Sequence, residues 1–199
     1  SFKLRGAFNK LLTLPREVRE RGVVAASSGN HGAAVAYACA ALGVQARVFV
    51  PEGASPAKVS KIRDLGAEVV HFGTDGLDTE LEARRQAEEA GAAYISPYND
   101  EAVMAGQGTL AVEMTENGPV LDRLYVAVGG GGLIAGMATW LRHAMPATQI
   151  VGALPANSPV MAASVRAGRI IEMESLPTLS DGTAGGIEAG SITFEVCRD

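Results

Sequence analysis

Short apolar runs alternate with longer helix-forming stretches along almost the whole chain, and the runs end in glycine, proline or small polar residues. Residues 23–26, 46–50, 68–72, 93–95, 123–128 and 149–154 read as strands. Residues 30–42, 56–65, 77–90, 102–116, 133–145 and 159–167 read as helices. Gly43 stops the first of these, and Ser55 opens the second as an N-cap with Pro56 at the first helical position. Strand–helix–strand repeats join strands in parallel, and a parallel sheet needs helices on both faces. The expected fold class is therefore α/β, with mainly parallel sheets flanked by helices. The pattern starts afresh near residue 100, which divides it into two lobes.

The chain of 199 residues suits one large domain or two small ones, and its 47% hydrophobic content supports a real core. A net charge of -5 leaves no basic footprint for nucleic acid. Glycine, alanine and charged residues interrupt every apolar run before the roughly 18 residues of a membrane span. The opening residue is Ser rather than Met, as in a trimmed fragment, and nothing resembles a signal peptide. Cys39 and Cys197 are far apart, and His31, His71 and His143 are isolated, so no metal site is expected. These features place the protein in a reducing cytoplasm, with a small molecule as its partner rather than a nucleic acid or a membrane.

The strand 123–128 runs directly into Gly129, Gly130, Gly131 and Gly132, and a helix follows at once. Four residues without Cβ let backbone N–H groups approach an anion closely, and the helix dipole adds favourable charge. A tight turn without a ligand would also use glycine. So would a dinucleotide site, because Gly130, Gly132 and Ala135 satisfy G-x-G-x-x-A. That site needs an acid about 20 residues on, at the end of the next strand. The chain offers Ala153-Leu154-Pro155 there, so a lone phosphate is the preferred ligand.

Lys3, between Phe2 and Leu4, is either an ordinary surface lysine or an amine whose pKa is lowered by apolar neighbours and by Arg5. The second is what Schiff-base chemistry requires. Ser27, Ser28, Asn30 and His31 stand where a strand ends and a helix begins. One of the first three is expected to cap that helix, and its N–H groups would suit a carboxylate. Gly106 and Gly108 interrupt a helical pattern at about 1 kcal/mol each, which points to close packing on a neighbouring element or ligand. The loop 181–186 either lines a pocket or is a bare connection.

Several of these segments together resemble one family. Ser-Phe-Lys-Leu-Arg-Gly-Ala at 1–7 is similar to the cofactor-lysine motif of the fold-type II pyridoxal 5′-phosphate enzymes, which are tryptophan synthase β-like in fold. Residues 27–32 resemble that family's S-x-G-N-H loop, 105–110 its A-G-Q-G-T segment, and 128–133 its phosphate loop. The branch is that of threonine/serine dehydratases (threonine ammonia-lyases) and serine racemases. The resemblance implies a discontinuous large cofactor-binding domain, 1–24 and 103–199, and a small α/β domain, 25–102. It also implies that the fold is incomplete at both ends.

By the same resemblance, pyridoxal 5′-phosphate is the cofactor and β-elimination of L-threonine or L-serine to a 2-oxo acid and ammonia is the reaction. Lys3 carries the cofactor as a Schiff base and shuttles the Cα proton. Phe2 packs on the pyridine ring and Asn30 bonds its phenolic oxygen. Gly129, Gly130, Gly131, Gly132 and Leu133 hold the phosphate, while Ser27, Ser28, Asn30 and His31 surround the substrate carboxylate. Ser28 stands where dedicated threonine dehydratases commonly have Ala and where racemases have a catalytic hydroxyl. Leu154 and Val160 occupy positions at which racemase-type members place metal-ligating acids, so no metal is implied. Alternatives are a dehydratase of the hydroxyectoine-utilisation type, which 181–186 resembles, an amino-acid racemase, and a phosphate-binding module without catalysis. A homo-oligomer, dimer or tetramer, is the expected assembly.

Overall fold

The computed structural model describes residues 1–199, which form two compact units, Ser1–Ser96 and Pro97–Asp199. The first unit runs α1 (Lys3–Thr13), α2 (Arg16–Glu20), β1 (Val23–Ala26), α3 (Asn30–Leu42), β2 (Ala46–Val50), α4 (Pro56–Asp64), β3 (Glu68–His71), α5 (Gly76–Glu89) and β4 (Ala93–Tyr94). Its strands form one sheet in the order β3-β2-β1-β4, all pairs parallel. Side chains alternate across β2. Val48 and Val50 join Ala36, Val59 and Ile62 on the face covered by α3 and α4, while Phe49 joins Val24, Ala83 and Ala87 under α5. Because both faces are covered, the strands read as continuous apolar runs rather than alternating ones.

The second unit runs α6 (Glu101–Asn117), β5 (Arg123–Ala127), α7 (Gly132–Ala144), β6 (Gln149–Ala153), α8 (Val160–Ala167), a 3₁₀ turn (Asp181–Thr183) and α9 (Ile192–Arg198). β5 and β6 pair in parallel, with Val126 opposite Gly152. Val126 packs with Ala111, Met137 and Leu141 from α6 and α7. Gly108, one of the two glycines of the 102–116 stretch, finds its reason here. A Cβ on Gly108 would lie 2.7 Å from the Gly136 carbonyl oxygen, and one on Gly136 would press into the Met104 carbonyl. The neighbour is thus a helix, and α6 and α7 cross backbone against backbone.

The expected strands and helices are all present, with ends displaced by a residue or two, as boundaries usually are. Three corrections concern capping and short helices. No side-chain hydrogen bond closes the Ser55 cap, nor does any of Ser27, Ser28 or Asn30 cap α3, whose N-cap is Gly29. Aspartates do the capping instead: Asp75 accepts from the N–H groups of Leu77 and Asp78, and Asp100 from that of Val103. Helices α1, α2 and α9 were not legible as helices. α1 owes its place to packing of Gly6, Ala7 and Leu11, which are buried, on its inner face. No helix is long and apolar enough to cross a membrane.

Replacing Gly136 by Ala should lower unfolding free energy by about 1–3 kcal/mol, the usual penalty of overpacking. Gly76→Ala, where a Cβ meets nothing within 4 Å, should be neutral or stabilising by up to about 1 kcal/mol. Urea titrations of both variants decide the matter; equal effects would remove the close-crossing argument.

Candidate active site

Lys3 is the first residue of α1, and its side chain is partly buried. The ammonium lies 5.5 Å from the centroid of the Phe2 ring. Burial lowers its pKa from 10.5 to about 8, and burial rather than the neighbouring Arg5 is the cause. The first turn of a helix carries partial positive charge, which disfavours an ammonium further. An amine with a pKa near 8 is roughly one-tenth to one-fifth neutral near pH 7, far more than an ordinary lysine, and that fraction can act as nucleophile and base.

At the end of β1 the Ser27 hydroxyl oxygen accepts from the Gly29 N–H at 3.1 Å, a local turn that brings the chain into α3. Gly32 allows α3 to begin hard against β1, because a Cβ there would press into the Ser27 carbonyl. The N–H groups of Asn30, His31 and Gly32 precede the first helical acceptor and donate to no carbonyl, since the first such bond runs from Ala33 to Gly29. Ser27 and Ser28 are partly buried and Asn30 is exposed. This is a set of donors suited to a carboxylate.

His31 differs from its neighbours. It is 4% exposed, and its Nε2 lies 2.8 Å from the Ile95 carbonyl oxygen. A carbonyl only accepts, so Nε2 carries the hydrogen. Burial, then the charge of Lys3, pushes its pKa down to about 3 against the opposing Ile95 hydrogen bond. The ring is neutral, and its Nδ1 is a buried lone pair without a partner. It therefore offers no positive charge to a carboxylate; among the expected contacts, donors come from the serine hydroxyls, Asn30 and the backbone.

In the second unit, Val128 donates to the Ala153 carbonyl, and after it the chain turns through Gly129, Gly130 and Gly131 into α7. Gly131 is the N-cap with φ of 85°, a left-handed conformation that favours glycine. The N–H groups of Gly129 to Leu133 donate to no backbone carbonyl. Neighbours behind the turn require glycine at each position. A Cβ on Gly129 would lie 3.0 Å from Thr183, one on Gly130 would enter the Tyr98 ring, one on Gly131 would lie 2.8 Å from Met161, and one on Gly132 2.9 Å from Tyr98. Leu133 packs its side chain into the α6–α7 core. The 181–186 loop therefore backs the turn through Thr183, and Ser158 holds it by accepting from the Gly185 N–H at 3.0 Å.

Sequence reasoning missed Tyr98, Asn99 and Thr193, which touch the turn or the segment behind it. Their bonds go to backbone atoms of loops far along the chain, and no spacing rule announces such bonds.

A row of N–H groups at a helix start suits a phosphate dianion, and a buried amine with a lowered pKa suits an aldehyde. The family model "Pyridoxal-phosphate dependent enzyme" matches residues 1–199. L-threonine ammonia-lyase of Thermotoga maritima is 42% identical over 198 residues, covering 100% of this chain and 49% of that protein. Catabolic L-threonine dehydratase of Escherichia coli K12 is 40% identical over 199 residues, 60% of its length. The processed form of threonine deaminase isoform 2 from Solanum lycopersicum superposes with a TM-score of 0.94 at 36% identity, covering 100% of this chain and 57% of that one. Maize serine racemase does so with a TM-score of 0.94 at 36% identity, covering 100% and 60%. The chain belongs to the pyridoxal-phosphate dependent enzyme family, and pyridoxal phosphate is its cofactor. It spans about half the length of the curated relatives it matches, 49% in the first.

The Lys3 shift has a thermodynamic consequence. The fold disfavours the charged amine, so the unfolded chain binds its proton more tightly, and stability rises with pH between about 8 and 10.5. Relative to Lys3→Met, the cofactor-free wild type should gain up to roughly 3 kcal/mol across that window. Urea midpoints at both ends of the window test this, and a constant difference between the two proteins would contradict it.

Proposed function

We propose that the protein is an ammonia-lyase that converts a hydroxy amino acid such as L-threonine or L-serine to a 2-oxo acid and ammonia by β-elimination. The observation that carries the reading is the match to L-threonine ammonia-lyases and dehydratases across 100% of the chain at 40–42% identity. The local chemistry supports it. When bound, pyridoxal phosphate supplies an electron-withdrawing ring that stabilises negative charge at the substrate Cα.

The chain's own residues do the rest. Lys3 tethers the cofactor through its amine, and the same amine, its pKa lowered by burial, takes the Cα proton. The electron pair left behind forms a Cα–Cβ double bond as the β-hydroxyl departs, taking up a proton to become water. Hydrolysis of the resulting unsaturated amine yields the oxo acid and ammonia. Ser27 and Ser28 hydroxyls, with the N–H groups that open α3, bind the substrate carboxylate. Asn30 binds the cofactor's phenolic oxygen and Phe2 packs against its ring. Gly129, Gly130, Gly131, Gly132 and Leu133 give their N–H groups to the phosphate. His31, neutral and tied to Ile95, orients the start of α3 rather than neutralising the substrate.

A second reading, racemisation of serine, draws on the partly buried Ser28 hydroxyl and on the likeness to maize serine racemase. There Ser28 would return a proton to Cα on the opposite face from Lys3.

Incubating the full chain and cofactor with L-threonine and L-serine should release the matching 2-oxo acids. Lys3→Ala should reduce that rate by more than about a hundredfold, and borohydride should fix the cofactor to the peptide carrying Lys3 in the wild type alone. Ser28→Ala should spare oxo-acid release. Accumulation of D-serine without oxo acid would replace the first reading by the second; no turnover of either substrate would reject both.

A further inference from the structure

Behind the glycine turn lies a set of buried hydroxyls that the proposed mechanism does not use. Thr193, with no exposure, donates from Oγ1 to the Gly130 carbonyl oxygen at 2.7 Å. The Ser191 hydroxyl, 1% exposed, lies 2.7 Å from the same Oγ1. Each hydroxyl has one hydrogen. Since Thr193 spends its own on Gly130, Ser191 must donate to Thr193, and the two form a directed relay that ends on the turn. The segment that carries them is itself pinned: Tyr98 accepts from the Glu188 N–H at 2.9 Å, and the Asn99 side-chain oxygen accepts from the Ile192 N–H at 3.0 Å. The Tyr98 ring is also the wall that Gly130 faces.

Resting on the reading of this turn as the phosphate site, we propose that Thr193 is a positioning residue that fixes which way the Gly130–Gly131 peptide points. The peptide is trans, as are all in the chain, so the Gly130 carbonyl and the Gly131 N–H point in opposite directions. Pulling the carbonyl back onto Thr193 therefore turns the Gly131 N–H away from Thr193, which in the proposed site is the side the phosphate takes. Two adjacent glycines put little steric barrier in the way of the opposite orientation. In that flipped state the turn would aim a carbonyl oxygen, rather than a donor, at a dianion. The hydroxyl relay selects the binding-competent state before any ligand arrives, which is pre-organisation of an anion site by atoms that never touch the anion.

The discriminating probe is a ligand pair that differs only in the phosphate. Dissociation constants of pyridoxal phosphate and of unphosphorylated pyridoxal are measured by absorbance titration of the full chain, cofactor removed, for the wild type and variants. Thr193→Val keeps the branched shape and loses the donor. It should weaken pyridoxal phosphate about tenfold, the size of one hydrogen bond's effect, and leave pyridoxal within about twofold. Thr193→Ser should restore phosphate affinity to within about twofold of wild type. Should Thr193→Val prove insoluble, Ser191→Ala supplies the same test, with a loss of about threefold confined to the phosphorylated ligand. Parallel weakening of both ligands would mean that Thr193 only supports the fold, and unchanged affinities would mean that the relay does nothing; either result overturns the proposal. If the site reading itself were wrong, the wild type would bind pyridoxal phosphate no better than pyridoxal, a pattern distinct from both.

Discussion

Where a parallel strand hands over to a helix, the first N–H groups of that helix have no carbonyl to meet, and the rest of the structure is arranged around this shortage. It occurs at the junction of β1 with α3 and again at the junction of β5 with α7. Ordinary proteins quench such groups with a capping side chain. α5 and α6 do so with Asp75 and Asp100, but α3 and α7 begin at glycines with no side-chain cap. Other helices also lack a side-chain cap, but α3 and α7 start at glycines after a strand, Gly29 and Gly131, and in the proposed reaction their donors serve the carboxylate of an amino acid and a phosphate.

Leaving donors uncapped costs stability, and close packing offsets it. Gly32 lets α3 lie against the end of β1, while Gly108 and Gly136 let α6 and α7 meet at the backbone. The turn through Gly129–Gly131 is likewise held by what stands behind it: Tyr98, Thr183, Met161 and Thr193. Glycine serves two purposes there. It permits the left-handed conformation at Gly131 and removes side-chain atoms that would collide with these neighbours. Any larger residue would have to displace a ring or a backbone segment.

Charge is managed by burial. Lys3 and His31 are both driven toward their neutral forms by desolvation, with opposite chemical results. For Lys3 the shift produces an amine able to act as nucleophile and base near neutral pH. For His31 it leaves a neutral ring that anchors α3 to the Ile95 backbone. Residue identity does not fix the charge of either group, because protonation follows solvent access, and solvent access is set by the surrounding chain.

Most of the framework was legible from the residues in order. Apolar runs such as 46–50, the stop at Gly43 and the glycines after residue 128 carry local meaning, because strand burial, left-handed φ and close backbone approach depend on residue type at that position. Helix α1, by contrast, is a short mixed segment whose helicity comes from packing its inner face, and its periodicity alone did not show it. Capping by Ser55 failed for the same kind of reason: a hydroxyl can cap, but its rotamer answers to neighbours. What the sequence by itself determined was the α/β alternation, the family and the chemical types at the site. What only tertiary structure decided was the charge state of His31 and the backing of the glycine turn by Tyr98, Asn99 and Thr193. Those contacts join residues about 60 to 90 positions apart, and a pairing over such distances is set by how the whole chain packs, not by any local pattern.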